Sequence, residues 1–249
     1  MRYFIDLSYN GIHYHGWQVQ PNAVTVQATL NKALSVLLKS PTDSMGAGRT
    51  DTGVHAVQMV AHFDTEVSFD NEQMRNKLNA FLPKNITVNA IKNVHKEAHA
   101  RFDATSRSYI YKITTSKDVF EHDKRHCFTR PLDVNLMNKA SRILMCYKDF
   151  ECFSRMHSDV KTFICQISHA QWTQAENHLE FKITADRFLR NMVRAIVGTM
   201  LDVGISKTSL DEFKNIIESK DRSNAGASAP AKGLYLTEIL YPNSIYIDD

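Results

Sequence analysis

GAGRTDTGVHAVQMVAHFD, residues 46–64, changes character halfway along. Its first half crowds Gly46, Gly48 and Gly53 around Arg49 and Asp51. Its second half alternates, with Val57, Met59, Ala61 and Phe63 on one face, which is the period of a strand. A loop with a permissive backbone and a carboxylate therefore runs straight into a strand. That juxtaposition organises the rest of the chain.

Upstream, RYFIDLSY (2–9) sets Tyr3, Ile5, Leu7 and Tyr9 against Arg2, Phe4, Asp6 and Ser8, again a strand. The turn-rich NGIHYHGWQVQPN separates it from a helix in TVQATLNKALSVLLKS, where Val26, Leu30, Ala33, Leu34, Leu37 and Leu38 form one stripe behind Thr25 as N-cap. Downstream, a helix is predicted over 71–81, with Asp70 as cap and Gln73 at capping-box spacing. Strands are read at 86–94 and 107–115, a helix at 134–147 behind Asp133, and an antiparallel pair at 163–172 and 178–188. Helices follow at 188–204 and at 209–220, the latter with Ser209 and Glu212 as a capping box, then a loop at 223–233 and a last strand at 234–241. Strands outnumber helices and hairpin-like pairs occur, so the class is α+β with antiparallel or mixed sheets. The chain divides near 103–106 into two halves of comparable make-up, an N-terminal α/β lobe (1–105) with the Asp51 loop and a C-terminal α/β lobe (106–249).

Composition adds bounds. With 249 residues, 43% hydrophobic and 23% charged, the chain can bury a large core. Its longest apolar runs fall well short of the roughly 20 residues that span a bilayer. MRYFIDLSYNG interrupts its apolar stretch with Asp6 and Ser8, so it reads as a strand and not a secretory segment, and a cytoplasmic location without membrane contact is expected. The net charge of +3 permits an RNA partner without demanding one. HDKRH (122–126) reads either as a phosphate-contacting loop or as a solvated surface run. Cys127, Cys146, Cys152 and Cys165 form no CxxC pair and are expected as free thiols. His13 and His15 read as polar loop histidines, with no ligand-spaced partner nearby, so no metal site is expected.

Three chemistries compete for the Asp51 loop. A Walker A loop needs a lysine after its last glycine, and a dinucleotide fingerprint needs a glycine where Asp51 stands; neither holds. Asp51-Thr52-Gly53 matches the aspartic-protease tripeptide, but that chemistry shares one proton between two aspartates and the chain has a single copy. Arg49 nearby also favours an ionised carboxylate. An ionised aspartate prepared for catalysis remains, alongside a purely structural salt bridge in a turn. Two other segments bear on the choice. FLRNMVRAIVG places Arg190 and Arg194 four apart, on one face of a largely apolar helix, where a buried arginine needs an acidic partner or a polar cleft. RSYIY puts Tyr109 and Tyr111 on one strand face near Arg101 and Arg107, suited to base stacking, although core packing is the commoner use of such a pair.

With these residues assembled, the chain resembles the tRNA pseudouridine synthase A family along nearly its whole length. The motifs run in order: YNGIHYHGWQVQP, AGRTDTGVHA, HARFDATSRSYIYKI, DFECFSR, FLRNMVRAIVGTM and APAKGLYL. The resemblance implies an isomerase that converts uridine to pseudouridine at nucleotides 38, 39 and 40 of the tRNA anticodon stem-loop. It implies a pseudouridine synthase fold of two α/β lobes whose sheets form one platform around a central cleft, a homodimer, and neither metal nor organic cofactor. By position, Asp51 matches the catalytic aspartate, Arg49 the arginine that moves the target base, Tyr109 the tyrosine stacked on it, Arg194 the ion-pair partner of the aspartate, and Leu234 the apolar pocket wall. Arg190 matches no assigned role, and Cys165 stands at or near an expected arginine. A non-catalytic tRNA-binding or chaperone protein is the competing class.

Overall fold

A computed structural model describes residues 1–155 and 160–247. The chain forms two compact units, one of Met1–Thr105 with the chain from Leu236 on, the other of Ser106–Tyr235. The architecture is α+β, and all but one of the strand pairings below are antiparallel.

In unit 1, β1 (Arg2–Tyr9) lies between β3 (His55–Asp64) and β4 (Ile86–Val94), and the short β2 (Ser44–Gly46) pairs with β3. Helix α1 (Val26–Leu38) starts where Thr25 accepts the Ala28 N–H, and α2 (Asn71–Phe81) where Asp70 accepts the Gln73 N–H. Each cap satisfies a donor that the first helical turn leaves unpaired. The α1 stripe Val26, Leu30, Ala33, Leu34 and Leu38 is buried. The C-terminal stretch, read from sequence with the second lobe, packs in unit 1: Thr105 N–H donates to the Leu240 carbonyl, Ile239 N–H to Gln58 Oε1, and Ile247 N–H to the Asn93 carbonyl.

In unit 2, β8 (His178–Ala185) lies between β5 (Ser106–Thr114) and β7 (Ile167–Ala175), and β6 (His126–Cys127) pairs parallel with β5. Tyr111, Phe181 and Trp172 sit opposite one another across β5, β8 and β7 and are fully buried. Trp172 stacks on Phe181 at 4.8 Å and donates Nε1–H to Met200 Sδ. The helices are α3 (Val134–Leu144), α4 (Met192–Gly204) and α5 (Leu210–Ser219), the last opened by the full Ser209–Glu212 capping box. The last strand, β9 (Leu234–Leu240), begins in unit 2 and ends in unit 1.

Both outermost strands are fastened by an asparagine. Asn79 of α2 accepts the Val88 N–H and donates to the Val88 carbonyl; Asn138 of α3 does the same at Trp172. A side-chain amide thus stands in for a neighbouring strand and shields an edge that would otherwise invite pairing.

Two sequence expectations change. Val57 does not share the buried face with Met59, Ala61 and Phe63; it is exposed while Ala56 is buried. The β1–β3 register shifts between Leu7 and Tyr9, and the extra residue exchanges the faces. The helix read over 188–204 begins only at Met192, because Asn191 takes a left-handed φ of 65°. Arg190 therefore lies outside the helix, and the four-residue spacing to Arg194 does not place the two on one helical face.

Unit 1 also holds a buried histidine pair. His62 is 8% exposed, accepts the Ala100 N–H on Nδ1, and meets the His99 ring edge-on at 4.6 Å. Burial, followed by the charge of Arg2, lowers the His62 pKa to about 4. Its folded value lies below the unfolded one, so the unfolded chain binds the extra proton first as pH falls. Stability from the neutral ring is present above about pH 6.5 and disappears toward pH 4, at a cost on the order of 3 kcal/mol. Urea denaturation across this window should show that acid limb, and His62→Gln should flatten it.

Candidate active site

The Asp51 loop is held by the segment NGIHYHGW. Trp17 N–H donates to the Thr50 carbonyl at 3.1 Å, Gly53 N–H to the Tyr14 carbonyl at 3.3 Å, and Gly11 N–H to His55 Nδ1 at 3.2 Å. Thr50 turns inward, where its hydroxyl meets the buried Tyr9 hydroxyl at 2.8 Å. Gly16 has φ 86°, and a Cβ there would strike the Thr50 carbonyl, so only glycine lets the two segments approach. Val54 N–H closes a turn onto the Asp51 carbonyl at 3.1 Å, with Gly53 at φ 78°. Asp51 ends up half-buried on a turn whose backbone is pinned on both sides.

Arg49 does not pair with Asp51. It is exposed and makes no ion pair or hydrogen bond among the described residues. Proximity in sequence does not become contact. Nothing in the sequence singles out His55. It is 2% exposed and receives the Gly11 N–H, a structural role that an isolated histidine in a motif does not announce.

Unit 2 contains Tyr109, Arg194 and Leu234. Tyr109 and Tyr111 divide the two readings of RSYIY between them. Tyr111 is fully buried and its hydroxyl donates to the Pro230 carbonyl at 2.9 Å, with burial pushing its pKa far up. Tyr109 is half-buried, opposite Ile183, with Phe188 packed edge-on at 5.1 Å and 89°. That contact fixes the ring without covering the residue.

Arg194, in the first turn of α4, donates Nε–H to the Ala229 carbonyl at 2.7 Å, and Ala229 N–H returns a bond to the Arg194 carbonyl at 2.9 Å. The loop SNAGASAPAKG is laid along α4 by further bonds. Asn191 and Arg222 both donate to Ser228 Oγ, and Gly226 N–H donates to Thr199 Oγ1. Gly198 lies where a Cβ would overlap the Ala227 carbonyl oxygen. Leu234, 6% exposed, follows the short 3-10 turn Ala231–Gly233 that ends this loop. The motifs MVRAIVG and APAKGLYL are thus two sides of one contact, as NGIHYHGW and AGRTDTGVHA are of another.

A family model described as tRNA pseudouridine synthase matches residues 7–103 and 140–242. The chain belongs to that family. It is 52% identical to tRNA pseudouridine synthase A of Bacteroides fragilis, over 98% of both chains. It is 48% identical to the protein of that name from Porphyromonas gingivalis over 99% of both. The corresponding Bacillus subtilis protein is 42% identical over 98% of this chain and 100% of its own length. Neither matched segment of the family model includes Tyr109, whereas Arg49, Asp51, Arg194 and Leu234 all fall within them.

The remaining sequence candidates lie elsewhere. Among the described residues no group of three His, Cys, Asp or Glu side chains is placed to hold a metal ion, and His13 and His15 are exposed. No helix there is long and apolar enough to cross a membrane. In HDKRH, Arg125 pairs with Glu121 at 3.1 Å and Glu180 at 3.4 Å, and the Lys124 carbonyl receives the Tyr235 hydroxyl at 2.8 Å. Cys165 is fully buried, and burial raises its pKa to about 12, so it is an unreactive thiol. The charge of Arg187 acts on that thiol in the opposite sense, lowering its pKa by less than burial raises it.

Proposed function

We propose that the chain isomerises uridine to pseudouridine at nucleotides 38, 39 and 40 of the tRNA anticodon stem-loop, with Asp51 as its catalytic carboxylate. The coarser part follows from family membership: the chain is an isomerase acting on uridine in tRNA. What carries the finer reading is the Asp51 turn, a half-buried carboxylate on a backbone pinned by Tyr14, Trp17 and Tyr9.

The reaction breaks the bond from C1′ to N1, rotates the uracil and joins C1′ to C5. Substrate and product have the same atoms, so the balance requires no redox carrier or phosphate donor. A carboxylate can serve by attack at C1′, by addition at C6 or by removing the C2′ proton; a pinned backbone suits each, since each needs a fixed oxygen. A stacked and paired uridine must first leave the helix, at a cost of a few kcal/mol. Arg49, exposed and unbonded, is assigned to the vacated space and the adjoining phosphate, where a planar guanidinium serves both. Tyr109 is assigned to stack on the extruded base, Leu234 to wall its pocket, and Arg194 to keep the Asp51 carboxylate charged. A homodimer working in the cytoplasm completes the proposal.

Label at uracil C5 is released when C5 bonds to C1′, so tritium release from C5-labelled tRNA tests the reading directly. A chain that binds tRNA and frees no label would be a binding protein. Within the site, Tyr109→Phe should keep most of the activity, because the ring persists. Tyr109→Leu should lose roughly 10–100-fold in kcat/KM, the scale of one base stack. Equal rates for the two variants would remove Tyr109 from the base pocket.

A further inference from the structure

Positive charge is unevenly divided along the chain. Residues 106–235 hold 20 of the 30 Lys and Arg against 15 of the 27 Asp and Glu, a formal +5, which leaves −2 for the rest. Part of the excess gathers in one place. Between α3 and the outermost strand β7 lies an open groove of about 630 Å3, lined by Asn138, Lys139 and Arg142 from the helix and His169 and Gln171 from the strand, with no acidic side chain on its walls. Lys139 and Arg142 stand three apart, on one face of α3, and both are exposed. Neither they nor His169 has a side-chain hydrogen bond or ion pair among the described residues. Some cations elsewhere in unit 2 are matched, Arg125 by Glu121 and Glu180, Lys220 by Asp149 and Lys207 by Asp202; the groove differs in setting two unmatched ones on one concave wall.

Unmatched cations around a concavity without acids suit a polyanion. A protein strand added to β7 fits less well, because Asn138 already occupies both the N–H and the carbonyl of Trp172. We propose that this groove binds the sugar-phosphate backbone of the tRNA substrate, a second anchoring site in the unit that carries Tyr109. The proposal rests on the tRNA reading above and adds an anchor outside the base pocket. Ala170 on its wall lies opposite Ile183, which lies opposite Tyr109, so the groove is two strand spacings from the stacking tyrosine, roughly 10 Å. Backbone contacts of this kind position RNA without reading its sequence.

The test compares wild type with Lys139→Gln/Arg142→Gln. It measures tRNA affinity between roughly 50 and 200 mM salt, the range over which counterion release is steep, and pseudouridine formation at saturating tRNA. Affinity should fall about tenfold at the lower salt, and the plot of log K against log salt should flatten by about 1–2, since each phosphate no longer neutralised removes roughly one unit of slope. kcat should not change, and Lys139→Arg/Arg142→Lys should behave as wild type. Unchanged affinity and slope in a variant that still turns over would overturn the groove and leave the enzyme reading intact. Weaker binding with an unchanged slope would also overturn it, because the two side chains would then not have been neutralising phosphates. A wild-type chain without tRNA affinity would instead remove the reading beneath it.

Discussion

Asp51→Asn yields a protein that folds, binds tRNA about as well as wild type and forms almost no pseudouridine. The amide keeps the size of the carboxylate, and main-chain bonds shape the turn: the Gly53 and Val54 N–H groups bond to the main-chain carbonyls of Tyr14 and Asp51. What disappears is the charge and the nucleophilic or basic oxygen. Removing an obligatory catalytic group in this way costs on the order of 10⁴-fold or more in kcat. Single-turnover tritium release, beside a binding isotherm and a melting curve, separates the outcomes. Substantial turnover by the folded variant would end the assignment of Asp51.

The second large effect is structural in origin. Gly198→Ala forces a methyl group into the Ala227 carbonyl oxygen, so the loop 225–233 must lift from α4. The overpacking should cost about 1–3 kcal/mol, lowering Tm by roughly 2–4 °C for each kcal/mol. Activity should fall further, roughly a hundredfold, because the lifted loop takes with it the Ala229 carbonyl that orients Arg194 and the turn that leads into Leu234. Adding Ala227→Gly should not rescue the variant, since the clash is with main chain. Full rescue would show that this overlap is not what keeps position 198 a glycine.

Much of the fold is legible in the sequence because it is local. The strands at 2–9, 55–64 and 86–94 and the caps Thr25, Asp70, Asp133 and Ser209 appear where alternation and N-cap chemistry put them. The β7–β8 hairpin is readable as a pair, although β7 begins at Ile167 and runs to Ala175. The helix behind Asn191 reads too long, because an apolar 3.6-residue pattern continues upstream through Leu189 while the helical backbone does not. An asparagine tolerates the left-handed conformation and carries no periodic signal of doing so. Of the candidate site, the loop motif is plain from the residues. Arg49, two residues from the aspartate, is not bonded to it, and the histidine that pins the neighbouring turn gives no sign.

From its order of residues alone the chain determined where strands and helices form, how the helices start, and that one carboxylate stands in a glycine-rich loop. These depend on neighbours a few positions away, whose periodicity and hydrogen-bonding groups are written consecutively. Only the tertiary structure decided why Gly16 and Gly198 are glycines, which of Tyr109 and Tyr111 is core, that Val57 faces solvent, and that Lys139, Arg142 and His169 line one groove. Each depends on backbone or side chains tens of residues apart arriving within a few ångströms, and sequence spacing holds no measure of that approach.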